Sequence, residues 1–254
     1  MADAERISFV PGGAGKLRVS DGGERGAPVV LVHGLASELE TWRPVLDRLR
    51  AFRRVVAYDQ RGHGQSDPAD EYGIAALAAD LGLVIEQLGL KRFWLAGHSF
   101  SGTVVTAYAA EHPDQLAGAI YVDAVGDVSS VPEMKDYFRR NDTGMTPDRL
   151  QVAYREMLGP LARPATRSTV LSSVARMDLK AFAALRREMS EFDGLSAARK
   201  YTGPRFAIEA EGEENPFRAS HLPGTKRIGI PGVSHWLMLD DPQATARALE
   251  GVLR

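Results

Sequence analysis

Short continuous apolar runs alternate along most of the chain with segments whose apolar residues recur every three or four positions. These are the signatures of buried strands and of amphipathic helices. Residues 27–32, 54–58, 92–96, 116–122, 205–209 and 226–230 read as strands, and their largely unbroken apolar character is that of a parallel sheet covered on both faces. Residues 7–10 and 16–19, separated by Pro11-Gly12-Gly13, read as an opening hairpin. Helical patterns occupy 41–49, 74–88, 101–111 and 242–253. Pro113 ends the third, and Asp241-Pro242 opens the fourth with an N-cap and a first-turn proline. This order predicts an α/β fold, a mostly parallel sheet with helices on both faces.

The alternation stops between residues 126 and 200. No strand-like run occurs there. Up to four short helical patterns do, at 133–140, 147–158, 167–177 and 179–190, with Thr146 and Asp178 as caps and Gly159-Pro160 and Arg163-Pro164 as breaks. The expectation is an all-helical insertion at 126–200, set into a core made of 1–125 and 201–254. Most of its apolar residues, such as Tyr154, Phe182 and Leu185, are expected to pack helix on helix, and a minority to line an apolar pocket.

Candidate chemistry enters at Gly97-His98-Ser99-Phe100-Ser101-Gly102, between the run at 92–96 and the helical pattern at 101–111. A serine at such a strand-to-helix turn, a nucleophile elbow, is held in a strained conformation with its hydroxyl exposed, so small residues must flank it. Where the usual pattern G-x-S-x-G has its last glycine this chain has Ser101, which is still small. Upstream, one strand ends in His33-Gly34-Leu35, and the next leads into Asp59-Gln60-Arg61-Gly62-His63-Gly64-Gln65-Ser66-Asp67. A serine hydroxyl needs a positioned base to take its proton. The candidate is His235 in Pro231-Gly232-Val233-Ser234-His235, where the chain returns to the carboxyl edge of the sheet after its last strand. The order Ser, acid, His differs from the chymotrypsin and subtilisin orders and is that of the α/β-hydrolases.

At these residues the chain resembles the α/β-hydrolase superfamily, in its esterase/lipase-like branch with a helical cap. The resemblance runs through H-G-x, D-x-R-G-x-G-x-S, the elbow and the late histidine, and so covers nearly the whole chain. It implies that the insertion is the cap, that Ser99 is the nucleophile and His235 the base. It also implies that the backbone N–H groups of Leu35 and Phe100 form the oxyanion hole. The acid stays open. Most of the family places an aspartate after the penultimate strand, where this chain reads Ala210-Glu211-Gly212-Glu213-Glu214-Asn215-Pro216, with Asn215 at the aspartate's place. A subset takes the acid from the end of the strand after the elbow helix, here Asp123. Asp123 is preferred, with Glu214 and then Glu213 as alternatives and Asp127 behind them. Of the other histidines, His33 is expected to bond nearby backbone, His63 to sit in a turn and His98 to face away from the nucleophile. His112 and His221 are expected at the surface. Asp59, Arg61 and Asp67 are expected to pair or cap within the glycine-rich loop.

Composition narrows the function. With no cysteine, thiol catalysis and thiolate metal sites are excluded, and no histidine or carboxylate spacing suits a metal. A net charge of −2 over 254 residues, without a Lys/Arg run, argues against nucleic-acid and membrane partners. The acidic N-terminus lacks an apolar h-region, and no apolar run approaches a membrane span. The expectation is a cytoplasmic, cofactor-free carboxylic-ester hydrolase, monomeric or homodimeric, acting on small to medium apolar esters. Dehalogenases and epoxide hydrolases of this superfamily carry aspartate in place of Ser99. A lactonase, carbon–carbon bond hydrolase or perhydrolase could use the same triad. A slow-turnover ligand-sensing hydrolase-receptor would also retain it.

Overall fold

The computed structural model describes residues 5–142, 144–212 and 215–254. A single sheet is built from β1 (Arg6–Pro11), β2 (Lys16–Gly22), β3 (Val29–Val32), β4 (Val55–Tyr58), β5 (Phe93–His98), β6 (Leu116–Val122), β7 (Arg205–Ala210) and β8 (Thr225–Ile230). Its spatial order is β1-β2-β4-β3-β5-β6-β7-β8. β2 runs antiparallel to β1 and to β4, and every other neighbouring pair is parallel. All four residues of β3 and of β4 are buried, which explains their uninterrupted apolar sequence. This α/β sheet matches the expected fold class.

The helices α1 (Arg43–Arg50), α2 (Ile74–Gln87) and α3 (Ser101–Glu111) precede a segment that departs from strand–helix alternation. Between β6 and β7 the chain forms α4 (Pro132–Asp142), α5 (Pro147–Leu158), α6 (Pro164–Val174), α7 (Leu179–Glu191) and α8 (Gly194–Lys200). It closes with the short α9 (Leu237–Asp240) and with α10 (Pro242–Val252). Among the described residues no helix is long and apolar enough to cross a membrane.

Three helices differ from the pattern-based expectation, one of them the single turn α9, which no periodic pattern marks. α6 begins at Pro164 instead of breaking there, with Arg163 at its N-cap, because proline at the first helical position loses no intrahelical hydrogen bond. α8 was not foreseen. It is too short to show a period, and its start is fixed by tertiary contact: a Cβ on Gly194 would lie 2.1 Å from the Gly126 carbonyl oxygen. Its N-cap Asp193 accepts the Ser196 N–H at 2.9 Å, and the helix packs on α3.

The loop from Asp59 to Asp67 is held by charged groups as expected, but most of their partners lie outside the loop, because its ends pack against β2, α2 and the segment before α1. Asp59 accepts the N–H groups of Leu39 at 2.6 Å and Gln65 at 2.9 Å, and Asp67 accepts Lys16 N–H at 2.8 Å. Arg61 donates from Nε at 2.6 Å and Nη2 at 2.8 Å to the two oxygens of Asp80, itself 1% exposed. Gly13 N–H adds a third bond to that carboxylate at 2.8 Å. Asp80→Asn leaves the buried guanidinium without its counter-charge and should cost about 3–5 kcal/mol of stability. A thermal unfolding curve indistinguishable from wild type would contradict this.

Candidate active site

β5 leads into α3 through Ser99, which has φ of 56°, a left-handed conformation costly for a residue with a Cβ. Surrounding backbone holds it there. Ser99 N–H donates to the Val122 carbonyl at 3.2 Å, while its own carbonyl accepts from Gly102 N–H at 3.0 Å and Val125 N–H at 2.9 Å. The flanking small residues are required by space. A Cβ on Gly97 would stand 2.6 Å from the Ser101 carbonyl oxygen, and one on Gly102 would stand 2.1 Å from that of Val125. Ser101, in place of the usual glycine, is fully buried, and its hydroxyl donates to the His33 carbonyl at 2.5 Å. Gln60 Nε2 donates to the same carbonyl at 2.9 Å, so the start of the elbow helix is tied to the loop that carries Leu35.

The loop after β8 places His235 beside this turn. Its Nε2 lies 2.8 Å from Ser99 Oγ, and its Nδ1 lies 2.6 Å from Asp123 Oδ2. Asp123 follows β6 with φ of 42°. Its other oxygen accepts Ala210 N–H at 3.1 Å and lies 3.6 Å from Arg218 Nη2. Burial alone would raise the Asp123 carboxyl, but the His235 hydrogen bond and the charges of His235 and Arg218 hold it below the ordinary carboxylate range. The structure therefore brings together Ser99, His235 and Asp123. Asp127 is engaged elsewhere, accepting from Ser129, Ser130 and, at 3.0 Å, from Leu195 N–H at the start of α8. Glu213 and Glu214 lie outside the described residues.

Leu35 and Phe100 are both buried; Phe100 follows Ser99 directly, and Gly34, next to Leu35, comes so close that a Cβ on it would stand 3.0 Å from Ser99 Cβ. Among the described residues neither backbone N–H has an acceptor. The residue after Leu35, Ala36, has φ of 53°. Among the described residues, Ala36, Ser99 and Asp123 are the non-glycine positions with positive φ. Strain of about 1–3 kcal/mol apiece is thus concentrated where these groups converge.

Three buried imidazoles brace the loops. His33 Nε2 accepts Gln60 N–H at 3.0 Å, which leaves the proton on Nδ1, donated to the Gly34 carbonyl at 2.8 Å. His63 repeats this pattern, accepting Ala36 N–H at 3.3 Å and donating to the Arg61 carbonyl at 3.0 Å. His98 departs from the expectation that it faces away from the site: Nε2–H donates to the His235 carbonyl at 2.9 Å, and the two rings lie 4.7 Å apart. It thereby fixes the backbone of the residue that carries the neighbouring imidazole. Sequence reasoning also missed Tyr154, whose hydroxyl donates to the Leu35 carbonyl at 2.9 Å, and Asp240, which binds the loop of His235. Neither lies in a local motif that marks it.

A family model for the alpha/beta hydrolase fold matches residues 27–173, more than half of the chain, and the chain belongs to that family. Among solved structures, an esterase from Thermogutta terrifontis superposes with a TM-score of 0.83 at 23% identity, covering 98% of both chains. An enol-lactonase from Burkholderia xenovorans gives 0.84 at 20% identity, over 97% of this chain and 99% of that one. At these identities the likeness is one of fold. A curated relative, 2-hydroxy-6-oxo-2,4-heptadienoate hydrolase of Pseudomonas putida, is 33% identical over 157 residues, 53% of this chain and 57% of that protein. The chain spans less than two thirds of the length of the curated relatives it matches, from 29% to 57%.

Burial pushes His33 down to about 4 and His63 and His98 down to about 3, so all three stay neutral in the folded state near neutral pH. In the unfolded chain each takes up a proton near about 6.5. The unfolded state therefore binds more protons below that pH, and stability falls as pH drops toward the folded values. From pH 7 to pH 5 the loss should be on the order of 5 kcal/mol, above the range where the stabilised carboxylates titrate. Melting temperatures measured across this interval test it, and a constant value would contradict three neutral buried imidazoles.

Proposed function

We propose that this chain is a serine hydrolase that cleaves carboxylic esters of small to medium apolar substrates through an acyl-enzyme. The observation that carries the proposal is the continuous hydrogen-bonded line from Asp123 Oδ2 to His235 Nδ1 at 2.6 Å and from His235 Nε2 to Ser99 Oγ at 2.8 Å. Ser99 Oγ attacks the acyl carbon while His235 Nε2 takes its proton, and the carbonyl electrons move onto oxygen. The N–H groups of Leu35 and Phe100 receive that oxyanion. Collapse of the tetrahedral species expels the alcohol, which leaves with the proton returned by His235. Water then attacks the acyl-enzyme with the same base, releasing the acid and restoring Ser99. Asp123 keeps the Nδ1 proton in place and balances the imidazolium.

The nucleophile argues against epoxide opening. A carboxylate nucleophile forms an ester that water can cleave at its carbonyl, whereas Ser99 would form an ether with no carbonyl to attack. The preference for short acyl groups is supported by the fastening of the inserted helices to the core. Tyr154 on Leu35, and Ser173 and Arg176 on Glu38, are polar ties that a lid opening at a lipid surface would have to break.

On p-nitrophenyl esters, wild type should turn over repeatedly and prefer butyrate to palmitate. Ser99→Ala should lose on the order of 10⁴-fold in kcat or more, while unfolding like wild type. Asp123→Asn should lose about 10³–10⁴-fold, and Glu213→Gln and Glu214→Gln should remain near wild type. Near-stoichiometric cleavage would favour a ligand sensor, and a large loss in Glu214→Gln alone would move the acid to the loop after β7.

A further inference from the structure

Asp240 ends α9, and both oxygens of its carboxylate are occupied. Oδ1 accepts the Arg163 N–H at 2.8 Å and the Thr166 hydroxyl at 2.7 Å. Oδ2 accepts the Ser234 N–H at 2.7 Å and the Ser234 hydroxyl at 2.5 Å. Burial alone would raise this carboxyl, yet the bonds from Arg163, Ser234 and Thr166 hold it below the ordinary range. Its position at the start of α6, where helix N–H groups point outward, favours the same ionised form.

The four donors belong to two different parts of the molecule. Arg163 and Thr166 lie at the start of α6, inside the helices inserted between β6 and β7. Ser234 immediately precedes His235 and has its backbone and side chain fixed together by one oxygen. Asp240 therefore joins the insertion to the loop that presents the imidazole. A second join crosses the site, where Tyr154 of α5 donates to the Leu35 carbonyl and its ring stands 6.0 Å from that of Trp236. The inserted helices are thus tied to two of the segments that carry the site, the loop of Leu35 and the loop of His235.

We propose that Asp240 is a positioning residue. It sets the orientation of His235 toward Ser99 by locking Ser234, and the lock is complete only while α6 is docked. The inserted helices then act as part of the frame of the base as well as a roof over the substrate. This inference rests on the hydrolase role proposed for Ser99 and His235. The expected size follows from the steep dependence of proton transfer and attack on placement, where a shift of about 1 Å costs on the order of 10²-fold.

The test is the rate at which a fluorophosphonate labels Ser99, because that rate reads activation of the serine without depending on the natural substrate. Wild type, Asp240→Asn, Thr166→Val and Asp193→Ala are compared well below their melting temperatures. Asp240→Asn sets an amide N–H against one pair of donors and should label about 30–100-fold more slowly. Thr166→Val removes only a bond on the side of the inserted helices and should label about 3–10-fold more slowly, with an ester kcat reduced and KM little changed. Asp193→Ala removes the cap of α8, so it should lower the melting temperature and leave the labelling rate at wild type. If Asp240→Asn does not fold, Thr166→Val still decides the matter. Labelling of Thr166→Val at the wild-type rate, or equal slowing in Asp193→Ala, overturns the positioning role alone. A wild type that does not label at Ser99 overturns the hydrolase assignment and the positioning role with it.

Discussion

Ser99 is held in a left-handed backbone conformation at the point where β5 gives way to α3, and much of the local structure exists to keep it there. The strand delivers the residue to the carboxyl edge of the sheet, and the helix turns the chain sharply away. The carbonyl at the end of β6 and an N–H of the segment just beyond it then close around Ser99 through Val122 and Val125. Space at this crossing is so limited that Gly97 and Gly102 cannot carry a side chain without moving neighbouring backbone. The same segment continues into Asp123, also strained, so the turn that exposes the hydroxyl and the carboxylate behind the imidazole are fixed by one set of contacts. Strain of this kind persists only where the surroundings over-determine it. Here they are the buried parallel strands on either side.

Around that centre buried polar side chains tie the loops to one another. His33 and His63 each take a backbone N–H from one loop and return a proton to a carbonyl, so protonating either would remove an acceptor that the loops need. His98 holds the carbonyl of His235, and Asp240 holds the N–H of the residue before it. The imidazole of His235 is left with two engagements, one toward Asp123 and one toward Ser99. Buried neutral histidines serve here as rigid hydrogen-bonding spacers, which makes the frame sensitive to acid.

Much of this was legible in the sequence. Unbroken apolar runs gave the parallel strands because those strands are buried on both faces, and the elbow gave Ser99 because its steric demands leave a local trace. The preference for Asp123 over the glutamates rests on the family resemblance, since a subset of that family carries its acid at the end of the strand after the elbow helix, and the structure sets Asp123 against His235. What stayed hidden depends on contacts distant in sequence. His98 was expected to face away because strand alternation says nothing about a loop more than a hundred residues later that folds over it. Tyr154 reads as a core residue of an amphipathic helix until its hydroxyl is seen on the Leu35 carbonyl. Asp240 is one of two adjacent aspartates before a proline. The sequence marks Asp241 as the helix cap and leaves no sign that its neighbour reaches another helix.

The central claim is that Ser99, the Leu35 and Phe100 N–H groups, His235 and Asp123 form one acyl-transfer site. A crystal structure of the protein inactivated with a diethyl fluorophosphate tests it most directly, since the phosphorus is tetrahedral like the proposed intermediate. The phosphorus should be bonded to Ser99 Oγ, with the phosphoryl oxygen about 3 Å from both N–H groups and His235 still bonded to Asp123. A phosphoryl oxygen directed away from Leu35 and Phe100, or phosphorus attached to another side chain, would contradict it.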